Sequence, residues 1–301
     1  MRIIVTGGAG FIGSHFINIY NQKFPEVEIV VVDKLTYAAD INNICAAGYS
    51  FIHKDICDLT KKDLGKFDYL INFAAESHVD RSIADGKPFL KSNVEGVYNL
   101  LDICRQNKKL KKFVQISTDE VYGDMDDYDI VESATLDLPL YPSSYYSATK
   151  AAAEMLVIAA GRTYNIPYLI TRTSNNFGEN QHPEKLIPTI IRCIKQNRSI
   201  PIYGDGKNIR EWIYVKDNVN AIIDLLDNPI SEGIFNIGSG DTKSNLDIIA
   251  DIEKILNKRI NFDFVEDRKG HDKIYSIDSD GTPNIKCTLT LYDYLLKQLI
   301  F

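Results

Sequence analysis

The chain has 301 residues, 45% of them hydrophobic, and a formal net charge of -7. That length and apolar content suffice for one large domain or two intimate ones, and the acidic balance argues against a nucleic-acid backbone as partner. The five cysteines, Cys45, Cys57, Cys104, Cys193 and Cys287, are odd in number and form no CxxC pair. They speak against a disulfide framework or a metal site and for a reducing, cytoplasmic setting. No apolar run nears the ~18 residues of a membrane span, and the start does not read as a signal peptide.

In chain order, a predicted strand over residues 3–5 runs into Gly7, Gly10 and Gly13 and then a helical pattern over 12–21. Strand, glycine turn and helix at this spacing suit a dinucleotide. Missing β-carbons at Gly7 and Gly10 let the main chain approach a pyrophosphate, and Gly13 lets the helix pack on the strand. Free N–H groups at the helix start, beside Phe11 and Ile12, attract the phosphates. A second strand over 29–32 ends at Asp33. An acidic group there binds ribose hydroxyls and repels a 2′-phosphate, so NAD is expected rather than NADP. Asp55 and Ile56 are expected to bracket the adenine. Phe73, Ala74 and Ala75, at the end of a strand over 69–73, are expected on the nicotinamide side.

A helix is predicted over 88–107, and the apolar run 113–117 leads into Thr118-Asp119-Glu120, an acid and a base side by side at a strand end. The next helix, 144–164, carries Tyr146 and Lys150 four residues apart on one face. A nearby ammonium and a positive nicotinamide would lower the phenol's pKa, so that Tyr146 takes a hydroxyl proton while hydride leaves the carbon. With a further strand over 168–171, the β-α-β rhythm predicts an α/β fold: a Rossmann-like, doubly wound parallel sheet over residues 1–174. Beyond 174 come prolines, glycines and helical patterns over 218–227 and 244–256. They predict a smaller, interleaved substrate-binding part over 175–301, against the sheet's carboxyl edge.

Several motifs follow one another in a recognisable order: the glycine turn, Asp33-Lys34-Leu35-Thr36-Tyr37, residues 74–82, residues 117–123, Tyr146-x-x-x-Lys150, Arg172-Thr173-Ser174-Asn175-Asn176, residues 183–188, Tyr203-Gly204-Asp205-Gly206 with Arg210, and residues 267–271. Over residues 1–278 the chain resembles the extended short-chain dehydrogenase/reductase superfamily, and within it the nucleotide-sugar 4,6-dehydratases that act on dTDP-glucose. The resemblance adds Lys34, Leu35, Thr36, Ser77, Ser92 and Asn176 to the NAD contacts. It implies that Ser77, Thr118 and Asn175 meet the sugar and that Lys185, Arg210 and Arg268 neutralise the diphosphate, with the backbone around Leu186 beside them. Pro201, Ile202 and Tyr203 would embrace the base, and Asn236 and His271 match further substrate positions.

The reaction implied by the resemblance is oxidation at C4, removal of the C5 proton by Glu120, donation by a protonated Asp119 to the departing C6 hydroxyl, and hydride return to C6. Thr118 would relay the C4 proton. Burial or mutual repulsion must then raise the Asp119 pKa. Alternatives are a 4,6-dehydratase of UDP-glucose, or an epimerase or decarboxylase of nucleotide sugars, neither of which needs the Asp119/Glu120 pair. A silent NAD-binding protein is opposed by the intact Tyr146, Lys150, Asp119 and Glu120. The resemblance also implies a homodimer through the helices over 88–107 and 144–164, with Leu100, Leu101, Ala152, Ala153, Leu156 and Val157 as candidate faces. His78 and His182 are expected as local hydrogen-bond partners. The end of the chain, 279–301, is short and lacks the family's Leu-Gly-Trp helix signature; a small apolar helix pattern over 288–301 remains.

Overall fold

The computed structural model describes residues 1–128, 133–228, 232–282 and 285–300. Its strands in chain order are β1 (Arg2–Thr6), β2 (Glu28–Asp33), β3 (Ser50–His53), β4 (Tyr69–Asn72), β5 (Lys112–Thr118), β6 (Tyr168–Thr173), β7 (Asn175–Phe177), β8 (Ile200–Tyr203), β9 (Ile209–Tyr214), β10 (Gly233–Ile237), β11 (Thr242–Ser244) and β12 (Phe262–Val265). The helices are α1 (Phe11–Lys23), α2 (Lys61–Leu64), α3 (Val79–Ala84), α4 (Lys87–Phe89), α5 (Gly96–Arg105), α6 (Tyr145–Tyr164), α7 (Leu186–Lys195), α8 (Val215–Asp227), α9 (Asn245–Leu256) and α10 (Leu291–Ile300). A π-helical turn, Leu90–Glu95, joins α4 to α5, so the single helix predicted over 88–107 is locally wider in its first half.

Seven strands form a sheet in the order β10-β6-β5-β4-β1-β2-β3, all pairs parallel. This is the doubly wound α/β sheet predicted from the rhythm. The strands are apolar on both faces because helices cover both. Ile3, Val5, Ile29 and Val31 face α1 and α8, packing on Phe16, Tyr20, Val219 and Ile222. Their neighbours Ile4, Val30 and Val32 point the other way, to Val97 and Leu100 of α5 and Ala153 and Val157 of α6. Each such side chain contributes about 1.5–3 kcal/mol on leaving water. β10 extends the sheet beside β6 although it lies beyond residue 174, and α8 packs on α1. Four of the dimer-face candidates, Leu100, Leu101, Ala153 and Val157, belong to this intramolecular core instead.

The rest of the chain has its own apolar centre, where α7, α9 and α10 pack with β8 and β9 through Ile187, Ile190, Trp212, Ile248, Ile252 and Leu295. The last helix docks here. Asp217 on α8 accepts bonds from the Thr288 N–H (2.7 Å) and hydroxyl (2.5 Å), just before α10. Among the described residues no helix is long and apolar enough to cross a membrane.

Candidate active site

Strand order reverses between β1 and β4, so their carboxyl ends diverge and leave a crevice. A cavity of about 300 Å³ opens there. On one wall is the glycine turn. Gly7 has φ +68°, and a β-carbon on it would collide with the Ala74 nitrogen. The residue is therefore required by backbone conformation and by the neighbouring loop, a reason different from the expected approach to a phosphate. A β-carbon on Gly13 would strike the Gly7 carbonyl, so the close approach of α1 is to the turn rather than to the strand expected from sequence. Gly10 precedes α1 and supplies no side-chain cap. The first N–H groups of that helix, at Phe11, Ile12 and Gly13 on the cavity wall, suit a diphosphate.

Asp33 reaches the cavity from the end of β2. Its carboxylate accepts the N–H of Ala9 (3.0 Å) and of Leu35 (2.8 Å). Lys34 donates to Ser92 (2.9 Å) and lies 3.4 Å from Glu76. Lys34, Thr36, Ile56, Phe73, Ala74, Ala75, Ser77 and Ser92 line the cavity; Leu35 and Asp55 do not. Asp55 instead caps a short turn by accepting the Cys57 N–H at 3.0 Å. Asn176 is at the wall, but its side chain is taken up by Thr173, Ser174 and Asn218.

Thr118 ends β5 and caps the following 3-10 turn, Asp119–Tyr122, accepting the Glu120 N–H at 3.3 Å. Its hydroxyl donates to Asp119 Oδ1 (3.1 Å) and is within hydrogen-bonding reach of the Tyr146 phenol. Asp119 is buried, and its Oδ2 has no hydrogen-bond partner among the described residues. Burial first, then the charges of Glu120 and Glu211, push its pKa well above the usual carboxylate value. Burial raises Glu120 as well, but Arg268, Lys185 and Arg210 pull it the other way. Two adjacent carboxyls thus sit in environments that separate their protonation, the condition for one acid and one base.

Ser144 caps α6, pairing with Ser147, and so orients Tyr146 and Lys150 at the helix start. Lys150 donates to the Ile116 carbonyl of β5 at 2.5 Å. Burial lowers its pKa to about 8, with Glu154 opposing. Tyr146 packs edge-on to Phe89. The expectation that its phenol is acidified is not met by the protein's own groups: burial and then the Glu120 charge raise it. The Lys150 ammonium is tied to a main-chain carbonyl, while carboxylates face the phenol.

On the opposite wall, Asn175 and Lys185 line the cavity. Lys185 precedes α7, whose first turn has no side-chain cap, and its ammonium donates to the Ser77 carbonyl (3.3 Å). Arg210 and Arg268 stand behind this wall, near enough to influence Glu120. Arg210 donates to the Asp272 carbonyl (2.8 Å) and lies over the Tyr275 ring, and Arg268 is 3.8 Å from Asp80. His271 binds Asp267 (2.6 Å) and meets Tyr203 edge-on; burial and Arg268 hold its pKa at about 4, so it is neutral.

Three expected substrate residues keep their side chains out of the cavity. β8 alternates, exposing Pro201 and Tyr203 and turning Ile202 into the core, so Ile202 has only main chain to offer. Leu186 packs with the C-terminal core. Asn236 is buried outside the cavity, bonded to Tyr122 and to the carbonyls of Ala134 and Asp278. His182 accepts the Glu184 N–H at its Nδ1 (3.5 Å), whereas His78 lies 3.9 Å from Glu184 and its Nδ1 has no hydrogen-bond partner among the described residues. Tyr37, Lys54, Ser174 and Gln181 also line the cavity, without a role assigned from sequence; Tyr37 and Ser174 lay in motifs that could have flagged them. Among the described residues no group of three His, Cys, Asp or Glu side chains could hold a metal ion.

Known proteins share this arrangement. The family model of the NAD dependent epimerase/dehydratase family matches residues 3–238. The chain is 46% identical to the low-salt glycan biosynthesis protein Agl12 of Haloferax volcanii, over 94% of this chain and 91% of that protein. It is 40% identical to a dTDP-glucose 4,6-dehydratase of Escherichia coli, over 93% and 86%. Among solved structures, DesIV, the dTDP-glucose 4,6-dehydratase of Streptomyces venezuelae with NAD bound, superposes with a TM-score of 0.91 at 37% identity, covering 100% of this chain and 96% of that one. With the glycine turn at the sheet's switch point and the Tyr146–Lys150 helix across from it, the chain belongs to the NAD dependent epimerase/dehydratase family.

Proposed function

We propose that the protein is an NAD-dependent dTDP-glucose 4,6-dehydratase, a hydro-lyase that yields the 4-keto-6-deoxy sugar. The observation that carries this reading is the buried Asp119, with its pKa driven up, beside Glu120 faced by three cations. An oxidoreductase without elimination has no use for that pair. The relatives and the solved structure named for this activity support the substrate. Bound NAD supplies a reversible hydride acceptor. The glycine turn, the start of α1, Asp33 and Lys34 would hold it.

The chain's own residues do the proton work. Tyr146 takes the C4 hydroxyl proton, with the Thr118 hydroxyl as relay. The C4 ketone acidifies C5, and the Glu120 carboxylate removes that proton. Asp119, as the neutral acid, donates to the C6 oxygen, which leaves as water, and Glu120 returns its proton to C5 as C6 is reduced. Lys185, Arg210 and Arg268 offset the diphosphate charge and oppose the upward shift that burial gives Glu120.

Purified protein given NAD and dTDP-glucose should form the dehydrated keto-sugar without added reductant, followed by mass spectrometry. Absence of product from every nucleotide-glucose overturns the reading. Competition between dTDP- and UDP-glucose tests the base, and the nucleotide that wins names it. We further infer a cytoplasmic homodimer. The outer faces of α5 and α6, with Tyr98 and Met155 exposed, support the dimer, and sedimentation velocity tests it. The five free thiols support the compartment.

A further inference from the structure

We propose that Glu154 and Arg172 are positioning residues, a buried ion pair that clamps the Tyr146–Lys150 helix to the turn carrying Thr118, Asp119 and Glu120. The proposal rests on the dehydratase reading for what the clamp serves, though not for the clamp itself. Neither residue lines the cavity. Their side chains are 0% and 3% exposed, and they are joined at 2.7 Å, with two further contacts from the Arg172 Nε at 3.1 and 3.2 Å.

The bonds leaving this pair run to the reacting elements. Glu154 is one helical turn beyond Lys150 and two beyond Tyr146, on the same side of α6. It accepts the hydroxyl of Ser117, the residue before Thr118. Arg172, on β6, donates from its remaining nitrogen to the Tyr122 hydroxyl at 2.8 Å. Tyr122 closes the 3-10 turn that begins at Asp119, and three residues make one turn of such a helix. Tyr122 in turn donates to Asn236 Oδ1 on β10 at 2.8 Å. One continuous buried chain therefore holds both ends of the Thr118–Tyr122 segment and the helix opposite it.

Stability alone does not explain such a pair. Burying two charges costs much of what their attraction returns, and an apolar pair of similar volume is often as stable. Fixing relative position is a different matter. The acid, the base and the phenol come from two elements far apart along the chain, and a displacement of 1 Å costs roughly 100-fold in rate.

The test is the double variant Glu154→Leu/Arg172→Leu, which leaves no unpaired charge, measured with NAD and dTDP-glucose. A folded protein with KM within twofold, kcat lowered roughly 10- to 100-fold, and faster amide hydrogen exchange confined to residues 118–122 is expected. A kcat within twofold, or exchange that rises equally throughout β1, β2 and α1, overturns the proposal. If that variant does not fold, Ser117→Ala/Tyr122→Phe cuts the same chain at its two outlets; the same fall in kcat and the same local exchange support the clamp, and their absence overturns it. A wild-type protein inactive on dTDP-glucose sinks the dehydratase reading alone, and the exchange pattern then decides the clamp.

Discussion

The two walls of the cavity are held in different ways. On the cofactor wall the main chain sets the shape. Gly7 adopts a left-handed conformation against Ala74, and the Asp33 carboxylate is engaged by the N–H groups of Ala9 and Leu35. On the substrate wall side chains do so. Lys185, Arg210 and Arg268, from three separate segments, are each held by a carbonyl or a carboxylate and together act on Glu120. A wall of backbone can match the outline of one long ligand. A wall of cations recognises charge and leaves the shape of the rest open. Damage to the first should therefore appear as lost fold and lost cofactor, and damage to the second as weaker substrate binding.

The largest effect is expected between the walls. Glu120→Gln should lower kcat by about 10²–10⁴-fold, the usual contribution of a general base. The 4-keto sugar that still carries its C6 oxygen should accumulate, detected by rapid quench and mass spectrometry. Equal loss of oxidation and elimination would count against Glu120 as the C5 base. Gly7→Ala comes next, with strain of about 1–3 kcal/mol from the positive φ alone and the collision with Ala74 added to it. Denaturant midpoint and retained NAD should both fall, while KM for dTDP-glucose at saturating NAD stays within twofold. Arg268→Ala should do the reverse, raising KM roughly tenfold through loss of a charge-assisted bond, with NAD content unchanged. If both variants change both quantities alike, the separation of the walls is wrong.

A smaller effect comes from pH. Asp119 must be the neutral acid and Lys150 the ammonium, so both active forms are the protonated ones. Activity is then retained on the acid side of their pKa values and lost as pH rises through them, with Lys150 setting a limit at about 8. A pH–rate profile should fall roughly fourfold by pH ~8.5; a flat profile up to pH ~10 would remove Lys150 from the role. The smallest effect lies away from both walls. Ser244→Ala breaks the capping box that Ser244 makes with Asp247 at the start of α9. It should cost about 1 kcal/mol in chemical denaturation and leave kcat and KM alone.

Much of the site could be read from local spacing. The glycine turn needs only a few consecutive residues, and Tyr146 and Lys150 share a face because four residues make about one helical turn. Thr118-Asp119-Glu120 follows an apolar run that could only be a buried strand. Other features could not be read this way. Ile202 points inward because β8 alternates and its other face is exposed. Asn236 turned away from the cavity because β10 returns to the main sheet and brings it to Tyr122. Neither fact is contained in the neighbouring residues. The Glu154–Arg172 pair is 18 positions apart and joins a helix to the strand after it, a contact that no local period announces.

By itself the sequence determined the order of elements, the glycine turn and which acid, base, phenol and ammonium are available, because these depend on backbone conformation over a few residues. Only the tertiary structure decided their states. It buried Asp119 and so pushed its carboxyl pKa well above the usual value, brought three cations to bear on Glu120, and tied Lys150 to a strand carbonyl rather than to Tyr146. A protonation state depends on burial and on charges from distant segments, and those exist only once the chain has closed around them.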